Sequence, residues 1–190
     1  MVKSKVYTNS KLYYIHGYLS SPESTKAILF KKKLNAKPIK YRTCKPEELI
    51  ISECLENIKK EIKNDLDVVF IGSSLGGFLA AKTAQVNQNV KQLIMLNPAM
   101  MPPDYDITKI KDMPQDILKE LKDPKLFDTK IQADITILLG TNDIVVPNSW
   151  SIEFAKVQQA TIKFYYDDHN FTKNIQKLPN IIKKILEQKD

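Results

Sequence analysis

Cysteine, histidine, tryptophan and glycine are scarce in this chain of 190 residues, and no long apolar run is present. The two cysteines, Cys44 and Cys54, lie about ten residues apart and outside any zinc-ligand or C-x-x-C spacing, so we expect two reduced thiols. No stretch approaches the roughly 18 apolar residues of a membrane span. The segment Met1–Tyr7 lacks the apolar centre and cleavage site of a secretory signal, so a cytoplasmic protein is expected.

The most marked feature of the composition is an excess of basic residues, which gives a formal net charge of +7. Such a charge can attract nucleic acid, acidic membranes or phosphorylated acyl carriers. The lysines are spread along the chain, however, and the densest run is only residues 31–33, with no nucleic-acid-binding motif beside it. We therefore interpret the charge as a solvated surface and expect no nucleic-acid partner.

Apolar runs typical of buried strands alternate with helical patterns along the whole chain. This alternation predicts an α/β fold with a mostly parallel, doubly wound sheet and helices on both faces, in a single domain spanning residues 1–190. Strands are expected at 12–16, 38–42, 67–71, 91–96, 134–140 and 161–166, with helices at 24–34, from 45 to about 62, 74–85, 148–157 and 171–187.

The region 99–130 interrupts this rhythm. It is rich in proline, and its helical signal is confined to residues 115–121. We interpret it as a small cap or lid insertion whose apolar side chains form either an adaptable acyl site or ordinary core; they are Met100, Met101, Ile107, Ile110, Met113 and Leu118.

The segment 72–77 reads Gly-Ser-Ser-Leu-Gly-Gly between an apolar strand and a helix. In the G-x-S-x-G arrangement a strand turns sharply into a helix, and the central serine hydroxyl is left exposed as a nucleophile. Gly72 and Gly76 frame Ser74 in this register, whereas Ser73 takes the preceding position. Ser74 is therefore the predicted nucleophile.

A serine nucleophile needs a base, and the chain has two histidines. His169 follows the last predicted strand, where a triad base is expected, whereas His16 ends the first strand and contributes through its backbone. Asp143 follows a strongly apolar strand and is the predicted acid, although an aspartate there is also typical of a turn or helix cap. The order Ser74, Asp143, His169 is that of α/β-hydrolases. Asp167 and Asp168 rank below Asp143 because adjacency in sequence to His169 does not supply the required geometry.

The remaining site predictions concern backbone and pocket. The backbone N–H groups of Tyr18 and Leu75 are the expected oxyanion donors. Ser20 and Ser21 either line the pocket or cap the next helix, and capping is the simpler role. Asn97, at the end of another strand, either borders the pocket or forms a turn.

Taken together, these motifs resemble the YqiA-like family of small bacterial esterases of the α/β-hydrolase superfamily. The resemblance rests on segments that occur in order along most of the chain: His16–Tyr18 with Ser20–Pro22, Gly72–Gly77, Leu96–Ala99, Gly140–Asp143 and Asp168–His169. It implies Ser74 as nucleophile, Asp143 as acid and His169 as base, with hydrolysis of a carboxylic ester or thioester as the activity.

The leading functional hypothesis is a serine esterase that acts on small or medium acyl chains and needs no cofactor and no metal. Its expected partner is a small-molecule acyl ester or thioester; the sequence leaves the oligomeric state open. An alternative is a thioesterase for acyl-coenzyme A or acylated proteins, with lysines holding phosphates or an acidic partner. A non-catalytic binding protein on the same fold is a third hypothesis.

Overall fold

Six parallel strands form one open sheet in the computed structural model, which describes residues 10–187. Met1–Tyr7, on which the expectation about a secretory signal rests, lies outside the described residues. The strands are β1 (Lys11–Ile15), β2 (Lys37–Pro38), β3 (Val68–Ser73), β4 (Val90–Leu96), β5 (Asp134–Gly140) and β6 (Thr161–Tyr165). Their order is β2-β1-β3-β4-β5-β6, and every pair is parallel. The predicted α/β fold class is confirmed.

Helices cover both faces of the sheet. They are α1 (Thr25–Leu34), α2 (Ile51–Ile62), α3 (Leu75–Val86), α4 (Gln115–Leu121), α5 (Lys125–Asp128), α6 (Asn148–Gln158) and α7 (Leu178–Glu187). All six residues of β3 are buried, which explains its continuous apolar run at the centre of the sheet. One core packs α2, α3 and α6 against the sheet, and a second core packs α1 and α7 against the other face.

The predicted start of α2 at residue 45 is wrong. Pro46–Glu48 forms a single 3-10 turn, Leu49 and Ile50 are extended, and the helix begins at Ile51. Leu49 and Ile51 are both buried while Ile50 between them is 47% exposed. This alternation requires extended chain, and it also removes Ile50 from the apolar helix face on which it was predicted.

The predicted start of α7 at Phe171 is also wrong, because the helix begins at Leu178. The carboxylate of Asp168 accepts hydrogen bonds from the backbone N–H groups of residues 170 and 172, and that of Asp167 accepts from those of residues 173 and 174. These bonds satisfy the backbone in a loop conformation that competes with helix, and Phe171 adopts a left-handed φ of 58°.

The segment between β4 and β5 contains α4, α5 and a 3-10 turn at Ile107–Lys109. Ile117, Leu118 and Leu121 of α4 are buried against the core, and an ion pair joins Lys82 of α3 to Asp123. The segment is therefore packed onto the carboxyl edge of the sheet beside α3.

No helix among residues 10–187 is long and apolar enough to cross a membrane.

Candidate active site

Ser74 stands on a strained turn at the carboxyl end of β3. Its φ of 53° and ψ of −121° lie in a region that L-residues rarely adopt, and such strain persists only where the surroundings impose it. Its backbone N–H donates to the Leu96 carbonyl at 3.0 Å, and its carbonyl accepts from Ala99 N at 3.1 Å. Hydrogen bonds to the last residue of β4 and to the loop just after it therefore hold the turn in place.

Gly76 explains why the turn needs glycine. A Cβ built on it would lie 2.1 Å from the Ile15 carbonyl oxygen of β1. The first turn of α3 therefore lies directly against the end of β1. Gly17, just after β1, lies beside the serine with slightly more room: a Cβ on Gly17 would lie 3.3 Å from Ser74 Cβ.

Asp143 and His169 meet across two neighbouring strand ends, although they are 26 positions apart. His169 Nδ1 lies 2.7 Å from Asp143 Oδ2. A carboxylate only accepts hydrogen bonds, so Nδ1 is the donor, and in the neutral form of this imidazole Nε2 is the nitrogen with the free lone pair. Asp143 Oδ1 accepts from the backbone N–H groups of Val145 and Val146 at 2.8 and 3.0 Å, which fixes the carboxylate.

A cavity of about 800 Å³ contains Ser74, Leu75, Tyr18, Ser20 and His169 in its wall. Within the described residues no hydrogen bond joins the Ser74 hydroxyl to the His169 imidazole; such contacts commonly tighten only when a substrate binds. Nor do the backbone N–H groups of Tyr18 and Leu75 donate to any group in residues 10–187. Both donors are therefore available beside the serine.

Ser21 and Asn97 do not line this cavity. The Ser21 hydroxyl accepts from Glu23 N in a turn. Asn97 is 1% exposed and adopts a φ of 43°. Its amide nitrogen donates to the carbonyls of Asp168 and His169 at 3.1 and 3.0 Å, and its oxygen accepts from Gly140 N at 2.7 Å. Asn97 thus ties the end of β4 to the loops that carry Asp143 and His169.

The second histidine, His16, has its side chain away from the cavity. It is 2% exposed, its Nδ1 lies 2.9 Å from the Gly17 carbonyl oxygen, and its ring stacks on Tyr41 with centroids 4.3 Å apart. Burial lowers the pKa of His16 to about 4, so this imidazole is neutral at neutral pH.

The neighbouring aspartates have structural partners of their own. Burial alone would raise the pKa of Asp167, but the hydrogen bonds from Lys173, Asn174 and Asp168 lower it. Hydrogen bonds from Thr172 lower the pKa of Asp168. Both carboxylates hold the loop, and neither makes a hydrogen bond to the His169 ring within the described residues.

Sequence reasoning missed several residues of the cavity wall. These residues are Tyr14 of β1, Lys26 of α1, Tyr105 and Trp150. The rings of Tyr105 and Trp150 pack edge to face, with their centroids 4.7 Å apart. The aromatic residues carry no local motif, because only the tertiary fold brings them together. Lys26 had a weak signal, since it stands in the first turn of a helix, where a cation is unfavourable.

Solved structures with the same architecture are numerous. Est1E from Butyrivibrio proteoclasticus matches with a TM-score of 0.75 and 19% identity, covering 93% of this chain and 86% of that one. Alpha/beta hydrolase domain-containing protein 10 from mouse matches with a TM-score of 0.73 and 18% identity over 94% and 90%. A lipase-esterase related protein from Clostridium acetobutylicum matches with a TM-score of 0.68 and 14% identity, covering 92% of this chain and 93% of that one. No match is found among curated protein sequences.

The fold and these neighbours define the class: the chain has the α/β-hydrolase fold. The model of Uncharacterised protein family UPF0227 matches residues 11–186, and the chain belongs to that family. The resemblance to the YqiA-like family of the α/β-hydrolase superfamily is thereby confirmed.

Proposed function

We propose that the chain is a serine carboxylesterase in which Ser74 is the nucleophile, His169 the base and Asp143 the acid. One observation carries the proposal: His169, whose ring is supported by Asp143 through a hydrogen bond of 2.7 Å, lines the same cavity as Ser74 on its strained turn. An orienting carboxylate, a neutral imidazole and an exposed hydroxyl are the components that acyl transfer requires.

The reaction follows from these positions. Ser74 Oγ bonds to the substrate carbonyl carbon while its proton passes to His169 Nε2. The tetrahedral intermediate then breaks its bond to the leaving oxygen, which takes that proton from the imidazolium. Water repeats the sequence on the acyl-enzyme and releases the acid. Asp143 keeps the imidazole in the required tautomer and stabilises its charged form.

The backbone N–H groups of Tyr18 and Leu75 are the proposed oxyanion donors. Both residues line the cavity beside Ser74, and both N–H groups lack partners among residues 10–187. Leu75 also opens a helix of 12 residues, whose N-terminal dipole favours negative charge. Each such donor contributes roughly 3 kcal/mol to transition-state stabilisation.

We also propose that residues 99–130 act as the lid of a single domain and supply the acyl site. Met113 and Leu118 belong to this segment and line the cavity. Met113→Trp should narrow the acyl site and lower kcat/KM for octanoyl esters more than for acetyl esters. Lys109→Ala, an exposed change in the same segment, is the control. An unchanged chain-length profile in Met113→Trp would place the acyl chain elsewhere.

A fluorophosphonate probe tests the nucleophile. The parent protein should be labelled, Ser74→Ala should not, and Ser73→Ala, the matched change one position away, should remain labelled. Absence of labelling in the folded parent, or labelling of Ser74→Ala, contradicts the proposal and favours a binding protein on the hydrolase fold.

The second candidate activity is thioester hydrolysis, because the same site attacks either carbonyl. A panel of esters and thioesters matched in acyl length, with Ser74→Ala as blank, separates the two. The structural neighbour Est1E is known with ferulic acid bound, which supports a small organic acid or ester as ligand. The substrate should therefore be a small molecule.

A further inference from the structure

The wall of the catalytic cavity has two chemically different sides. Side chains from the segment between β4 and β5 and from α6 make one side apolar: Met101, Tyr105, Met113, Leu118, Leu121 and Trp150. The loop before α1, the first residues of α1 and the segment after β6 contribute mainly polar side chains to the other side, with Leu19 and Ile175 as the apolar exceptions; the polar ones are Ser20, Ser24, Thr25, Lys26, Asn170 and Thr172. Ser74 and His169 belong to the same wall, so a substrate bound there meets both surfaces.

Lys26 is the cationic side chain of the polar side, and its position is electrostatically unfavourable. It is the second residue of α1, whose cap is Ser24, and the positive end of a helix dipole disfavours a cation there. The other lysines of this helix, residues 31–33, stand in its last turn, where the dipole favours them. Partial burial also lowers the pKa of Lys26. Neither helix stability nor solvation explains this lysine.

No ion pair within 4 Å accounts for Lys26 in the described part of the chain. The carboxylates that act on it at longer range are Asp168 and Asp167. Both already accept hydrogen bonds from backbone N–H groups of their own loop. The loop is therefore held without the lysine, and the ammonium remains available to a ligand in the cavity.

The proposed chemistry indicates on which side of the cavity the leaving group of the substrate binds. His169 returns its proton to the leaving oxygen, so the leaving group starts beside this imidazole. Asn170 and Thr172 follow His169 in sequence and line the polar side, and the charge of Asp168, which precedes His169, acts on Lys26. The polar side is thus the side of the leaving group.

We propose that Lys26 is a specificity-determining residue that pairs with an anionic group, a carboxylate or a phosphate, on the leaving alcohol or thiol of the substrate. The inference rests on the proposed esterase function. Asp112 is the acidic residue of the cavity wall, and it belongs to the segment between β4 and β5. It also lines a neighbouring cavity of about 670 Å³ that does not include Lys26. Lys26 and Asp112 thus come from different segments of the chain, and no ion pair within 4 Å joins them among residues 10–187.

Matched substrates test the proposal. The first pair is 4-acetoxybenzoate and its neutral methyl ester, and 4-acetoxyphenyl phosphate replaces the carboxylate by a phosphate. The second pair is monophenyl succinate and phenyl butyrate, which moves the negative charge to the acyl side. For each pair the ratio of kcat/KM for the anionic over the neutral substrate is measured. Comparing this ratio between variants cancels the intrinsic reactivity of the esters.

Lys26→Met should lower the ratio about tenfold for anionic leaving groups, because one charge-assisted contact is lost. Lys26→Arg should keep most of the ratio, and Lys32→Met, an exposed lysine of the same helix, should keep all of it. Added salt should lower the ratio in the parent and much less in Lys26→Met. The carboxylate and phosphate arms show which anion the site prefers.

Three results would overturn the inference, and they are distinguishable. An unchanged ratio in Lys26→Met, with turnover still dependent on Ser74, leaves Lys26 a structural residue while the esterase function stands. A drop confined to monophenyl succinate assigns the anion to the acyl side instead. Absence of Ser74-dependent turnover with every ester removes the proposed function and this inference with it.

Discussion

At the scale of single residues, Asn97 shows how one amide can organise a site it does not line. Its three hydrogen bonds join the ends of β4 and β5 to the carbonyls of Asp168 and His169. The left-handed φ of 43° suits asparagine, which tolerates this region better than most residues. We therefore expect the pairing of His169 with Asp143 to depend on this side chain outside the proposed triad.

Asn97→Gly tests this dependence, because glycine accepts the positive φ, so the backbone is not strained while the side-chain hydrogen bonds and the buried volume of the amide are lost. We expect about 2 kcal/mol lower free energy of unfolding, measured with urea, since Gly140 N and two carbonyls lose a buried partner. In ester hydrolysis kcat should fall more than KM changes. Asn142→Ala, an exposed neighbour, should change stability by less than about 0.5 kcal/mol. A kcat equal to that of the parent in Asn97→Gly would show that the loop carrying His169 keeps its conformation without Asn97.

His16 gives the molecule a sensitivity to mild acid. Its pKa is about 4 in the folded chain against 6.5 when exposed, so the unfolded state binds the proton first as pH falls. Stability is therefore fully present above pH 6.5 and decreases between pH 6.5 and 4, by about 3 kcal/mol from this residue. His16→Asn should flatten that part of the profile in urea titrations at pH 7, 5.5 and 4.5. An equal slope in both proteins would assign the acid sensitivity to other groups.

The predictions of single site residues rest on sequence signals of different kinds. A local motif predicts Ser74, and the position after the last predicted strand predicts His169 in a chain with only one other histidine. Asp143 was indicated by its place after a strand. Their roles remain proposals, although the fold does bring Asp143 and His169 together. Asn97 makes its side-chain hydrogen bonds to residues 43 to 72 positions away, and Lys26 lines a cavity that only the folded chain forms, so the local sequence does not encode these surroundings.

At the scale of elements, the junction of α3 with β1 is so close that Gly76 has the least room for a side chain of the five glycines in the chain. Gly76→Ala would normally stabilise a helix by up to about 1 kcal/mol. Here the added Cβ would meet the Ile15 carbonyl oxygen, so we expect a loss of about 3 kcal/mol in the free energy of unfolding. Val86→Ala, at the exposed end of the same helix, is the control. Calorimetry that finds Gly76→Ala as stable as the parent would show that α3 can move away from β1.

The elements themselves were predicted best where periodicity and burial agree. β5 matches the predicted residues 134–140, and α6 differs by one residue at its end. The starts of α2 and α7 failed because tertiary contacts overrode local signals: burial of Leu49 and Ile51 extends the chain, and two aspartates hold the loop before α7. Side chains that compete for backbone hydrogen bonds are visible in sequence, but their geometry is not.

At the scale of the whole molecule, the two thiols report on global opening. Cys54 in α2 is 1% exposed within the larger core, and burial raises its pKa to about 11, whereas Cys44 is partly exposed. In Cys44→Ser, iodoacetamide at pH 8 should modify Cys54 at least about a thousandfold more slowly in buffer than in denaturant. Cys54→Ser isolates Cys44 as the comparison. Rapid native alkylation of Cys54 would reveal local opening of α2.

The order of the strands along the chain sets the order in which the proposed catalytic residues come together during folding. Gly17, Ser74, Asp143 and His169 stand at four different strand ends of one edge. The serine turn needs only β1, β3 and β4, all made early along the chain. The imidazole arrives with the loop after β6, at the far margin of the sheet. Under the proposed mechanism a growing polypeptide therefore carries an inert serine until its last strand has docked, so maturation itself switches on the hydrolase.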